Sequence, residues 1–220
     1  MRMNTAQLHQ AFLRWATAME QAAPELNALD SQLGDGDLGV TLSQCAHLVR
    51  IALRQAPESV PGILRAASQA CADASGSSFG TLLASGLLSA AKWLEGGQAA
   101  DRTTLPQLLR HVIEKLSARG GASLGDKTLL DALHAIAQAI EGAPPQAALA
   151  AVARDAAEQA LKDFRGRPCR AGRARMFADK SAHLDDPGMV AVWRMAQSLV
   201  VPQEPLPLDT PPPAPAGRAG

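Results

Sequence analysis

The sequence predicts an all-α protein, an eight-helix antiparallel barrel or bundle, on three observations. Aromatic residues make up only 3% of the chain and β-branched runs are few, while alanine and leucine dominate, so intrinsic propensity favours helix over strand. Apolar residues recur at three- and four-residue spacing along most of the chain. Breaks rich in glycine and proline divide that pattern into eight stripes with short turns between them, which makes neighbouring helices antiparallel.

Leu8, Phe12, Trp15 and Met19 define a first amphipathic helix over the first twenty or so residues, expected to end near Pro24. Leu38, Leu42, Cys45 and Val49 form the second stripe, directly after Gly34-Asp35-Gly36-Asp37, so that loop opens a helix. Pro61 suits the first turn of a third helix carrying Ile63, Leu64, Ala67 and Cys71, which breaks at Ser75-Gly76-Ser77. A fourth helix carries Leu82, Leu83, Gly86, Leu87 and Ala90, and a fifth runs from Leu105 to a stop at Gly120-Gly121. Leu129, Leu130, Leu133, Ile136 and Ile140 give the sixth, closed by Gly142. The alanine-rich stretch from Gln146 to Phe164 gives the seventh, and Val192, Met195, Ala196 and Leu199 the eighth, after Pro187-Gly188.

These stripes fill one domain over residues 1–200. From Pro202 onward the chain holds seven of its fifteen prolines and almost no apolar periodicity, so residues 201–220 read as a disordered tail. Lysine plus arginine equals aspartate plus glutamate at 21 each, which leaves no global positive field to collect nucleic acid or an anionic membrane. Cys45, Cys71 and Cys169 are odd in number, far apart and never in a C-x-x-C pair; this argues against a disulfide framework or zinc site and fits a reducing cytoplasm. No stretch approaches the ~20 apolar residues of a membrane span, and the N-terminus shows no apolar leader, so a soluble, unprocessed chain is expected.

The densest chemistry lies in Asp30-Ser31-Gln32-Leu33-Gly34-Asp35-Gly36-Asp37, three carboxylates within eight residues beside glycines. Mg²⁺ takes carboxylate oxygens and shares its remaining positions with waters and phosphates, so such a cluster suits a metal clamp, and the glycines allow the tight folding that convergence needs. The competing reading is that Asp35 or Asp37 only caps the following helix. A calcium loop fits poorly, since the EF-hand spacing and its distal glutamate are missing.

Three further stretches can contribute. Ala74-Ser75-Gly76-Ser77-Ser78-Phe79-Gly80-Thr81 leads into a helix whose free amides can receive phosphate. Gly125-Asp126-Lys127-Thr128 also opens a helix, but its glycine spacing is not that of a Walker A loop. A basic run carries Arg165, Arg167, Arg170, Arg173 and Arg175 ahead of Asp185-Asp186-Pro187-Gly188. Guanidinium groups there can clamp phosphate, or the run can be a solvated surface loop.

Taken in order, L-D-x-x-x-G-D-G-D-x-G, S-G before F-G-T, G-D-K-T-x-x-D-A-L and G-R-A … S … D-P-G resemble the L-subunit family of dihydroxyacetone kinases, from the first helix to about Leu199. The resemblance implies an eight-helix barrel holding ADP or ATP at one end, with Mg²⁺ ions bridging the phosphates to Asp30, Asp35 and Asp37. It implies a nucleotide pocket lined by Ser75, Gly76, Gly125 and Thr128 and closed by Arg173 and the Asp186-Pro187-Gly188 turn. It also implies a separate K subunit that holds the sugar on a histidine, with either ATP as donor or a resident ADP recharged by an M-type phosphotransferase-system protein, and it leaves room for a homodimer. The chain departs from the family pattern at Leu38, Thr41 and Leu184, and again at Ala178 and Lys180. Those departures bear on the substrate side, and they make a non-catalytic, nucleotide-binding regulatory relative the alternative reading.

Overall fold

The computed structural model describes residues 3–55, 58–74 and 76–201, and among these it contains helices and no strand. The long helices are α1 (Thr5–Leu33), α2 (Leu38–Ala52), α3 (Val60–Ala74), α4 (Ser78–Glu95), α5 (Leu105–Gly120), α6 (Leu129–Gly142), α7 (Leu149–Asp163) and α9 (Pro187–Ser198). A five-residue helix, α8 (Ala178–Ala182), follows a 3₁₀ turn at Arg173–Phe177 in the long connection between α7 and α9. The predicted disordered tail lies outside the described residues, apart from Val201.

Each long helix packs on its neighbours in chain order from α1 to α7, and α9 returns to pack on α7, α6 and α1. The ring therefore closes, as an antiparallel barrel of eight helices must. Its interior is lined by one continuous apolar cluster that includes Trp15, Met19, Leu26, Leu42, Val49, Ile63, Ile136, Met189 and Val192. That cluster uses the helical stripes read from the sequence.

The first helix is longer than expected. It starts on a capping box between Asn4 and Gln7 and runs through Pro24 to Leu33. Proline inside a helix removes one hydrogen bond and costs ~3 kcal/mol. Here Pro24 and Glu20, whose carbonyl loses its partner, both lie on the exposed face, where water can serve that carbonyl. Burial of Met19 and Ala22 before the proline and of Leu26 and Leu33 after it offsets the cost. The extension puts Asp30 in the last turn of a helix rather than in a loop. The seventh helix, conversely, begins at Leu149 instead of Gln146.

Candidate functional site

The loop between α1 and α2 is built around a close crossing of the two helices. A Cβ placed on Gly39 would lie 2.0 Å from the carbonyl oxygen of Ala23, so only glycine allows the start of α2 to approach α1 this closely. That approach lets α1 cap α2. Asn27 Oδ1 accepts from the amides of Gly39 (2.7 Å) and Val40 (3.1 Å), and Asp30 Oδ2 accepts from those of Asp37 (3.0 Å) and Leu38 (3.3 Å). Asp37 occupies the N-cap position but makes no side-chain capping bond. The cap of α2 is thus supplied from α1, by Asn27 and Asp30, and not by Asp35 or Asp37.

The three aspartates converge. Each of Asp30, Asp35 and Asp37 offers a carboxylate oxygen within 4.8 Å of the others, the only such group among the described residues. Gly36, at φ +77°, turns the chain between Asp35 and Asp37 in a conformation that glycine adopts without strain. Asp35 also accepts an ion pair from Arg173.

These carboxylates sit at one end of a cleft of about 700 Å³. Its walls bring together residues far apart in sequence: Gly76, Ser77, Phe79 and Thr81 at the start of α4, Thr128 and Leu129 at the start of α6, Arg173 and Arg175 from the α7–α9 connection, and Asp186, Pro187 and Gly188 at the start of α9. Leu82, Leu116, Leu129 and Leu130 give one wall an apolar surface. Nearly all the predicted site residues therefore meet. Ser75 lies outside the described residues, and Gly125 does not line the cleft. The Gly125 amide instead donates to Asp131 Oδ1 (2.6 Å), while Asp131 Oδ2 takes the amide of Thr128 in a capping box, so Gly125 shapes the turn (φ +93°) that presents Thr128.

Lys127 is the residue whose role sequence reading missed. Its side chain is 1% exposed, and its ammonium donates to the carbonyls of Arg167 (2.9 Å), Ser181 (2.8 Å) and Leu184 (2.8 Å). Burial lowers its pKa, and the charges of Cys169, Asp186 and Asp185 oppose that effect. Lys127 therefore pins the α7–α9 connection onto the α5–α6 loop and does not reach for phosphate. Next to it, Asp186 caps α9 by accepting from the Met189 amide (2.8 Å). Burial pushes its carboxyl up to about 7, against the lowering effect of the Met189 and Gly188 amides and of Lys127.

The basic run divides between two roles. Arg165 pairs with Asp185 and Arg167 stacks on Phe164, whereas Arg173 and Arg175 face the cleft. Of the departures from the family pattern, Leu184 packs with Leu33, Cys169 and Ala174 beneath the connection, and Thr41 is buried in α2. Neither lines the cleft, whereas Leu38 does. Lys180 donates to the Gln32 carbonyl (3.0 Å) and ties α8 to the end of α1.

Comparison with known families matches residues 32–200 to the DAK2 domain. This chain belongs to the DAK2 domain family. The match takes in Asp35 and Asp37 and begins two residues after Asp30. The DAK2 chain is 32% identical over 184 residues to L-erythrulose 1-kinase of Mycolicibacterium smegmatis, covering 80% of this chain and 32% of that protein. It is likewise 32% identical over 193 residues to the triokinase/FMN cyclase of Mus musculus, covering 85% and 33%. The DAK2 chain thus spans about a third of the length of these relatives. It is 26% identical to the ADP-binding subunit DhaL of the PEP-dependent dihydroxyacetone kinase of Escherichia coli, covering 80% of this chain and 86% of that one. In fold it resembles the crystal structure of the C. freundii dihydroxyacetone kinase in complex with AMP-PNP and Mg²⁺, with a TM-score of 0.71 at 22% identity over 90% of this chain and 34% of that one. Among the described residues no helix is long and apolar enough to cross a membrane.

Proposed function

We propose that this chain is the ADP- or ATP-binding, phosphoryl-transferring L-type part of a kinase for a small keto-sugar such as dihydroxyacetone. The observation that carries this reading is the freedom of Asp35 and Asp37: with α2 capped from α1, their carboxylates have no capping task and converge with Asp30 at the mouth of a cleft. Hard oxygen donors on a glycine-hinged turn fit Mg²⁺. When bound there, the ion would neutralise phosphate charge and align the transferring group.

The chain's own residues account for the rest of a nucleotide. Free amides at the start of α4 face the cleft where phosphates would lie, and Arg173 and Arg175 supply guanidinium groups to phosphate oxygens. The leucine-lined wall, with Phe79, offers a flat base an apolar surface. The relative named as an ADP-binding DhaL subunit and the fold neighbour crystallised with AMP-PNP and Mg²⁺ support the choice of ligand. We assign the substrate-holding step to a K-type subunit or domain, and the source of phosphate to ATP or to an M-type phosphotransferase protein. Because Thr41 and Leu184 do not line the cleft, two of the three departures leave the nucleotide site unchanged, which favours the kinase reading over the regulatory one.

Calorimetry and thermal melting of the full chain test the proposal. At about 100 times its Kd, ADP with Mg²⁺ should raise Tm by about 5–10 °C, and excess chelator should abolish the shift. Asp37→Asn should remove Mg²⁺-dependent nucleotide binding with the helical circular-dichroism signal intact, because Asp37 makes no capping bond. Unchanged affinity in that variant, or equal stabilisation in chelator, would defeat the reading.

A further inference from the structure

The ion pair between Arg173 and Asp35 joins the two chemically opposite ends of the cleft. Among the ion pairs of the described residues it alone touches the acidic cluster; the others pair Arg50 with Glu20, Arg65 with Glu95, Arg110 with Glu141, Arg154 with Asp155, Lys162 with Glu158, Arg165 with Asp185 and Arg194 with Glu25. The carboxylate that Arg173 holds is one of the three whose oxygens lie close enough to share a cation. A guanidinium and a divalent ion cannot both sit at that oxygen: they compete for its lone pairs and repel each other.

The backbone beneath Arg173 is anchored on three sides. Lys127 bonds the carbonyls of Arg167, Ser181 and Leu184; Ser181 Oγ accepts from the Cys169 amide (2.8 Å); and Lys180 bonds the Gln32 carbonyl at the end of α1. The arginine side chain, by contrast, is 58% exposed and its Asp35 partner 44%. The loop therefore holds Arg173 within reach of the cluster, while the side chain can swing without moving it.

We infer that Arg173 is a tethered stand-in for the metal, occupying Asp35 when the site is empty and leaving it when a divalent ion enters together with a nucleotide. The inference rests on the nucleotide-binding reading above and adds an order to it. A metal arriving alone must displace the guanidinium into water. A metal arriving with a nucleotide displaces it onto a phosphate oxygen in the same cleft, where a charge-assisted bond replaces the one given up. Arg173 thereby makes metal and nucleotide bind more tightly together than apart, and by linkage each raises the affinity of the other through the same residue.

Binding of Mn²⁺ to the full chain, followed by electron paramagnetic resonance with and without ADP, tests this. Breaking an exposed ion pair should let Arg173→Gln bind Mn²⁺ alone about twofold to fivefold more tightly than the wild type. In the same variant the gain in Mn²⁺ affinity on adding ADP should shrink. Arg175→Gln removes the same charge from the same cleft without breaking the Asp35 pair, so it should change affinity for Mn²⁺ alone much less. If Arg173→Gln, shown folded by circular dichroism, binds Mn²⁺ alone no better than wild type, or if Arg175→Gln gains as much, the inference is overturned while Mn²⁺–ADP binding by the wild type leaves the nucleotide reading standing. Failure of the wild type to bind Mn²⁺ even with ADP would overturn both.

Discussion

Asp30 shows how a single side chain can be assigned to two tasks by where its helix ends. One oxygen satisfies the first amides of α2, which leaves the other for the convergent cluster with Asp35 and Asp37. Asp186 is the corresponding residue across the cleft, a helix cap whose carboxyl is held near neutral pH by burial. An aspartate in the unfolded chain titrates near ~3.9, so between there and about 7 the folded protein binds the extra proton. Stability must therefore fall as pH rises through that window and level off above it. Asparagine caps about as well as aspartate and does not titrate. The Tm of Asp186→Asn relative to wild type, measured without metal or nucleotide, is expected to climb from pH 5 to pH 8. A constant difference across that range would mean that the carboxyl ionises as an ordinary aspartate.

The connection between α7 and α9 is the element on which the site most depends, because it carries Arg173 and Arg175 yet has little apolar surface of its own. Its small cluster of Leu33, Cys169, Ala174 and Leu184 is supplemented by the buried ammonium of Lys127, which reaches three of its carbonyls. Lys127 itself sits at φ +62°, a conformation uncommon for a residue with a side chain, held in place by those bonds. Lys127→Met keeps much of the volume and removes the donor. Leaving buried carbonyls unpaired costs about 1–3 kcal/mol each, part of which is returned by no longer burying a charge. A fall in Tm of several degrees is expected, with the connection becoming sensitive to limited proteolysis while α1 to α5 remain resistant. A Tm equal to the wild type would show that apolar contacts alone hold the connection.

For the whole molecule, closing the ring of helices gathers the starts of α2, α4, α6 and α9 around one cleft. Nucleotide with Mg²⁺ should therefore slow hydrogen exchange together in the segments around 34–40, 76–81, 126–130 and 171–188, and leave α7, which does not line the cleft, unchanged. Protection confined to one of those segments would place the ligand elsewhere. The eight stripes of Leu, Ile, Val and Ala were legible along the sequence because helical periodicity is a local property, and so were the clustered aspartates and the glycines around them. Pro24 misled because its cost depends on whether Glu20 faces water, which only packing decides. Lys127 could not be distinguished from a phosphate-binding lysine by its neighbours, since its three acceptors lie 40 to 57 residues away. Gly125 was grouped with the site by its motif, but its amide turns to Asp131. By itself the sequence determined the helical class, the stripe boundaries to within a few residues and the residue types from which a metal site can be made. Which carboxylates are free to take a metal was decided only by tertiary structure, because that depends on Gly39 letting α1 come close enough to cap α2.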